Sequence, residues 1–347
     1  MEGMTQTSTA GPDTPSQSEP SWGGPGRARR ALRAVAVVSC VPYLSLKIAW
    51  VAGSRIGIPR GSSLLDHRVG MAVVNGLSVL LDSAVIVLAL LLTRPWGLRV
   101  PAWLLAFPMW VATGLLTPIM TGYPMQLLVR LLGGSGRDPA AAGREPFLDE
   151  WVFGVVYTGF IVQGLTLGVL FVLYAGDRWA HLWRGRVREL SAGPAGAARR
   201  ATAVAAAVLT LFPLTTHLMW ACGGTSGLSA GRIADRSGDF RVLEAMYVVH
   251  LLCAVAGAWM LAFRRGRDLP LAVPLALGWA GSGAVACWGG WLSLASLGGG
   301  DDVADRPTGL MNLTYSVQMI VGVLVVTLGA YLFAERSAAA GPPRRTA

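Results

Sequence analysis

Long apolar stretches alternate with short polar ones along this chain, and eight of the apolar stretches are of nearly one length. They fall at approximately residues 34–53, 69–93, 100–120, 151–176, 201–223, 242–263, 271–293 and 309–334. A helix rising 1.5 Å per residue needs about 20 apolar residues to cross a hydrocarbon core of roughly 30 Å. Each stretch satisfies that length without the strict alternation of a membrane β-strand, which is a segment of about ten residues. The pattern predicts an all-α, polytopic transmembrane bundle of about eight spans.

Composition agrees with that pattern. The chain has 347 residues, of which 53% are hydrophobic and 14% charged, against roughly 25% charged in ordinary soluble domains. A net charge of +10 would suit a nucleic acid only if the basic residues gathered on one solvated face. Here they sit in short turns between apolar blocks, so the partner expected is the lipid bilayer, with no nucleic acid. Arginines at 27–33, 94–99, 178–200, 264–267 and 336–345 fall in alternate connections, while in the remaining connections ten arginines are balanced by Asp66, Asp138, Glu145, Asp149, Glu150, Asp235, Asp239, Asp301, Asp302 and Asp305. Basic connections stay in the cytoplasm. The expected topology therefore has both termini inside, in a multi-pass protein of the plasma membrane.

The first residues, rich in Ser, Pro, Gly and Thr, are expected to stay disordered for want of apolar surface to bury. With no cleavable leader pattern near the start, the first apolar block is expected to remain as an anchor. The organisation read from these boundaries is a tail at 1–30, a four-helix repeat at 31–178, a basic linker at 179–200, a second repeat at 201–336 and a tail at 337–347.

The two halves resemble each other internally. A shift of 170 residues puts Lys47 on His217, Trp50 on Trp220, Gly53 on Gly223, Gly57 on Gly227 and Arg94 on Arg264. One residue less brings Pro101, Trp110 and Gly114 onto Pro270, Trp279 and Gly283, and a shorter loop then aligns Tyr157 and Gly164 with Tyr315 and Gly322. Four spans is an even number, so both copies would insert the same way up, related by a pseudo-two-fold along the membrane normal. The interface between such repeats is the default place for a site.

The run Thr216-His217-Leu218-Met219-Trp220-Ala221-Cys222-Gly223-Gly224 resembles a His-x-x-Trp-x-x-Gly-Gly signature in the first helix of an uncharacterised family of four-helix bacterial membrane proteins. The first half departs from it with Lys47 and Ser54. The chain as a whole is similar to uncharacterised actinobacterial integral membrane proteins. Both resemblances imply a fold and no activity.

Ionisable groups inside a bilayer cost about 2.5–3.5 kcal/mol on insertion scales, so each needs a reason to be there. The candidates for a polar cavity are Lys47, Asn75, Asp82, Tyr157, His217, Glu244, His250 and Tyr315. Lys47 is the sole lysine of the chain. Counting helical rise from the outer ends places Lys47, Asn75, Tyr157, His217 and Tyr315 about 9 Å deep, His250 about 12 Å, Glu244 about 3 Å and Asp82 about 20 Å. Lys47 is the expected partner of Asp82, given enough tilt or water to span the difference. The bland alternatives are a snorkelling lysine, histidines bonded to backbone, tyrosines in packing and Glu244 among headgroups.

Other features point to structure. Cys40, Cys222, Cys253 and Cys287 lack ligand spacing and read as free thiols. Gly164, Gly168 and the glycines of 278–290 suit close helix approach, and Pro42, Pro108, Pro118, Pro213 and Pro274 suit bends. The run Tyr123 to Leu132 suits either the outer membrane surface or packing on the bundle. Nucleophile elbows, zincin motifs and P-loops are absent from the sequence, and no cofactor or metal is expected. The reading is a non-enzymatic protein that binds or transports a small molecule or lipid in an outward-facing cavity between repeats. A membrane-embedded enzyme acting on a lipid or hydrophobic metabolite, and a structural or signalling subunit, are the alternatives.

Overall fold

In a computed structural model, describing residues 26–60, 62, 68–134, 148–190, 193, 195–234, 236–297 and 303–339, the apolar stretches are eight long helices with one short helix among them. They are α1 (Arg27–Val51), α2 (Arg68–Leu91), α3 (Ala102–Leu131), α4 (Glu150–Trp183), α5 (Gly196–Ala221), α6 (Ala230–Ala234), α7 (Gly238–Phe263), α8 (Ala272–Leu297) and α9 (Gly309–Ala339). All eight long ones are apolar enough to cross a membrane, as a multi-pass helical protein requires. Most of both expected tails and the acids Asp66, Asp138, Glu145, Asp235, Asp301 and Asp302 lie outside the described residues. Residues 27–30, assigned above to the tail, are the first turn of α1.

Helix ends follow local chemistry. The Ser237 hydroxyl caps α7 by accepting from the Phe240 amide at 3.3 Å, and Thr308 does the same for Met311 at 3.2 Å. The αL region is used at Gly53 and Gly223, φ 91° and 96°, directly after α1 and α5, where a side chain would be strained. Pro274 sits in the first turn of α8, where its missing N–H costs nothing, so it does not act as a bend. Pro42, Pro108, Pro118 and Pro213 do lie inside their helices.

Helix α3 runs on to Leu131, well past the expected end at 120. The run from Tyr123 is therefore bundle and not an isolated surface helix. Gln126 donates to the Asp239 carbonyl at 3.3 Å and Arg130 pairs with the Asp239 carboxylate, which ties this end of α3 to the start of α7.

Packing divides the bundle. Helix α1 lies against α2 and α4, and α5 lies against α7 and α9 in the same manner. The two groups meet where α3 packs against α8 and α7. Helix α8 is the central one: Gly281 abuts the α7 backbone at His250 and Ala254, Gly283 approaches Gly114 Cα so closely that a Cβ would stand 3.1 Å away, and Gly289 abuts the α9 backbone at Tyr315 and Met319. Lipid tails are as apolar as leucine, so close backbone approach and interhelical hydrogen bonds hold helices together here. Gly164 does likewise against Met120 and Leu116 of α3, whereas Gly168 faces open space.

At the α3–α8 crossing the Trp110 indole donates to Ser282 Oγ at 3.0 Å and the Trp279 indole donates to Thr113 Oγ1 at 3.2 Å. The offset that carries Trp110 onto Trp279 also carries Thr113 onto Ser282 and Gly114 onto Gly283.

Arginines gather at one end of the bundle. Arg29 pairs with Asp177 at 2.6 Å and Arg199 with Glu335 at 2.7 Å. Arg178 donates to the Val100 carbonyl at 2.8 Å and Arg264 to the Leu190 carbonyl at 3.3 Å. These contacts join the starts of α1, α3 and α5 to the ends of α4, α7 and α9 on a single basic face. The opposite end is called the far face below.

Candidate functional site

The candidate side chains form two groups, one on α1, α2 and α4 and one on α5, α7 and α9. Both lie toward the far face, beneath a matched turn. The Trp50 indole donates to the Ile56 carbonyl at 2.7 Å, and the Trp220 indole donates to the Ser226 carbonyl at 3.0 Å. Each tryptophan is buried at the end of its helix and fixes the chain as it turns.

In the first group Lys47 Nζ donates to Asn75 Oδ1 at 2.8 Å and stands 4.8 Å from the Trp50 ring and 5.1 Å from the Tyr43 ring. A desolvated ammonium is stabilised by such rings by up to about 2 kcal/mol, so the chain's sole lysine is held inward. Its expected partner Asp82 is not reached. Asp82 lies two turns farther along α2 than Asn75, about 10 Å of rise, and Gln163 Nε2 donates to Asp82 Oδ1 at 2.7 Å instead. The same amide nitrogen is 2.8 Å from Cys40 Sγ. Tyr43 of α1 and Ser78 of α2 lie between the two contacts, and the Ser78 hydroxyl donates to the Val74 carbonyl of its own helix at 2.9 Å.

In the second group His217 is fully buried, with Nδ1 2.5 Å from Glu244 Oε2 and Nε2 2.8 Å from Gln318 Oε1. The Tyr247 ring stacks on the imidazole at 4.7 Å and Trp220 meets it edge-on at 5.5 Å. Thr216 and Thr314 hydroxyls meet at 3.3 Å one residue away on α5. The sequence places Glu244 only about 3 Å deep. Because α7 starts at Gly238, and not near 242, Glu244 sits about 9 Å into its helix, level with His217.

The remaining candidates are apart from these pairs. Tyr157 packs its ring against Tyr123 of α3 at 4.9 Å. Tyr315 is buried in an aromatic and aliphatic cluster with Trp220, Phe240, Leu228 and Met311. His250 is buried on α7, and its Nδ1 has no hydrogen-bond partner among the described residues.

Gln163 and Gln318 complete the two groups and were not among the candidates. As neutral amides they escape a search for ionisable groups, yet each interrupts a long apolar run, Phe160-Ile161-Val162-Gln163 and Tyr315-Ser316-Val317-Gln318. A separate open groove of about 810 Å³ lies between α1 and α4, lined by Val35, Val38, Pro42, Val155 and Gly159. It uses another face of α1 from Cys40, Tyr43 and Lys47, and its lining is apolar.

All four cysteines are free thiols, Cys40 buried and Cys222 exposed. Among the described residues there is no group of three or more His, Cys, Asp and Glu side chains placed to hold a metal. No family model, curated protein or solved structure matches the chain.

Proposed function

We propose that the protein binds or transports a small molecule or lipid from the outer side of the plasma membrane, using two like four-helix units that stand the same way up. The observation that carries this reading is the pairing of Lys47 with Asn75 and of His217 with Glu244 at corresponding places beneath corresponding tryptophan turns. Packing alone would fill both places with apolar side chains at lower cost.

Support for the duplication comes from contacts that were not used to align the halves. The offset of Trp50 onto Trp220 carries Ile56, whose carbonyl accepts the first indole, onto Ser226, which accepts the second. The reciprocal bonds of Trp110 and Trp279 at the α3–α8 crossing are what a two-fold axis through Gly114 and Gly283 would generate. Support for the orientation comes from the basic face, which the positive-inside rule puts in the cytoplasm together with both termini. The far face, with its tryptophan turns and polar groups, is then outside.

The candidate groups are divided between the units, while the seam between the units is filled by Gly114, Gly283 and the tryptophans. We therefore place ligand contact in the outer half of each unit. An enzyme finds less support. His217 acting as a catalytic base would have to offer a free nitrogen to substrate, and both of its ring nitrogens are engaged within the protein.

The test is native mass spectrometry of protein extracted in mild detergent. Wild type is expected to carry a bound small molecule or lipid that is lost from both Lys47→Ala and His217→Ala. Identical bound masses in all three proteins, or none in wild type, would contradict the proposal.

A further inference from the structure

The first unit carries more polar chemistry than its fold requires. On α1, Cys40, Tyr43 and Lys47 are spaced by three and four residues and share one face; on the antiparallel α2, Asp82, Ser78 and Asn75 do the same. Their contacts make two rungs, Lys47 with Asn75 and Cys40 with Asp82 through Gln163 of α4, with Tyr43 and Ser78 at the places between them. The ladder runs inward from the tryptophan turn at Trp50. It ends at Asp82 above an apolar plug that includes Ala36, Val85, Ala89, Leu167 and Leu170.

The second unit omits the lower rung. The offset of Lys47 onto His217 carries Tyr43 onto Pro213 and Cys40 onto Thr210, whose hydroxyl bonds to the Ala206 carbonyl of its own helix, at 2.7 Å. An offset of 169 residues, one less than that of the flanking Gly57 and Arg94, sets Asn75 on Glu244 and carries Asp82 onto Leu251, which is fully buried among Val285 and Val321. Helices α5 and α7 therefore pack without an acid at that level.

Asp82 and Gln163 are 4% and 1% exposed, and Asp82 Oδ2 and Gln163 Oε1 have no hydrogen-bond partner among the described residues. A carboxylate with no cation beside it is costly in this setting. Two free oxygens are too few for a hard metal cation such as calcium or magnesium, which takes six or more oxygen or water ligands. A proton needs one.

We propose that Asp82 is a proton-binding site reached from the far face along the α1–α2 ladder. A proton from water at that face forms an O–H bond on the Asp82 carboxylate, giving the neutral acid, and leaves by the same route; nothing is oxidised or reduced. Lys47, Tyr43 and Ser78 each carry a heteroatom that can take up and release a proton on the way. The groups facing Asp82 are Cys40 and Tyr43 from α1 and Gln163 from α4, with Lys47 two turns outward and Arg33 two turns toward the basic face. The proposal rests on the orientation and duplication given above, and it makes the bound proton a companion of the ligand in the outer half.

The experiment is infrared difference spectroscopy of the full chain in liposomes, with an impermeant thiol label to establish which face is exposed to the medium. Acidifying the far face is expected to produce a carboxylic-acid band that is lost in Asp82→Asn and retained in Glu244→Gln. The S–H band of Cys40, assigned by its loss in Cys40→Ala, is expected to shift with it in wild type, which makes the result independent of whether Asp82→Asn folds. Tyr43→Phe combined with Lys47→Leu is expected to slow the appearance of the band by about tenfold. Persistence of the whole band in Asp82→Asn, an S–H band indifferent to pH, a response confined to the basic face, or an unchanged rate in the double variant would each overturn the proposal. If Asp82 takes up a proton but no bound molecule is found by mass spectrometry, the ligand reading fails alone; a bound molecule with a silent Asp82 fails this inference alone.

Discussion

The buried His217 shows how a single residue's neighbours decide its role. Its nitrogens are held by Glu244 and Gln318, and its ring is clamped by Tyr247 and Trp220. Removing it leaves Glu244 buried without its partner. His217→Ala is expected to lower the free energy of unfolding by about 3–5 kcal/mol, the cost of stranding one member of a buried pair. Thr314→Val, which removes one hydroxyl of the Thr216–Thr314 contact, should cost only about 0.6 kcal/mol, the average for interhelical hydrogen bonds in membranes. Denaturant titration in mixed micelles separates the two magnitudes. Equal effects would mean that the His217 cluster contributes no more than an ordinary polar contact.

At the scale of elements, helix contacts depend on where a Cβ can and cannot be tolerated. A side chain at Gly114 would run into the Gly283 carbonyl, whereas one at Gly168 meets nothing within 4 Å. Gly114→Val is therefore expected to destabilise the protein by about 1–3 kcal/mol through overpacking, and Gly168→Val to stay within about 0.5 kcal/mol of wild type. Thermal unfolding in detergent checks the pair. Similar melting temperatures for the two variants would remove the α3–α8 crossing from the account of how the bundle holds together.

What could be read from the sequence, and what could not, divides at this same scale. The eight spans were legible because the bilayer demands a continuous apolar run, and every expected run is a helix. Helix ends were less legible. Tyr123 to Leu131 continues α3 because Gln126 and Arg130 find partners at Asp239, a contact more than a hundred residues away in sequence. The early start of α7 comes from the Ser237 cap, and missing it put Glu244 several ångströms too shallow and hid its pairing with His217. The pairing of Lys47 with Asn75 follows from their equal depths, while Asp82 was matched to the nearest opposite charge when its actual partner is the neutral Gln163. Charge is a poor guide to partners where a neutral amide can satisfy a carboxylate at less desolvation cost.

For the molecule as a whole, the sidedness of the basic and far faces governs everything else. Ten arginines cancelled by ten acids in one set of connections, and a largely uncompensated set of arginines in the other, form a charge asymmetry that orients a chain during insertion. In the orientation we propose, Ser226, exposed in the turn after α5, faces outward, and Arg265, exposed after α7, faces the cytoplasm. The most direct measurement places a single thiol at each position, Ser226→Cys or Arg265→Cys, with the exposed Cys222 replaced by serine, and treats intact cells with a membrane-impermeant maleimide. Labelling of Ser226→Cys in intact cells, and of Arg265→Cys only after permeabilisation, is the predicted result. Labelling of Arg265→Cys in intact cells with Ser226→Cys protected would contradict the account, since the polar groups would then open toward the cytoplasm.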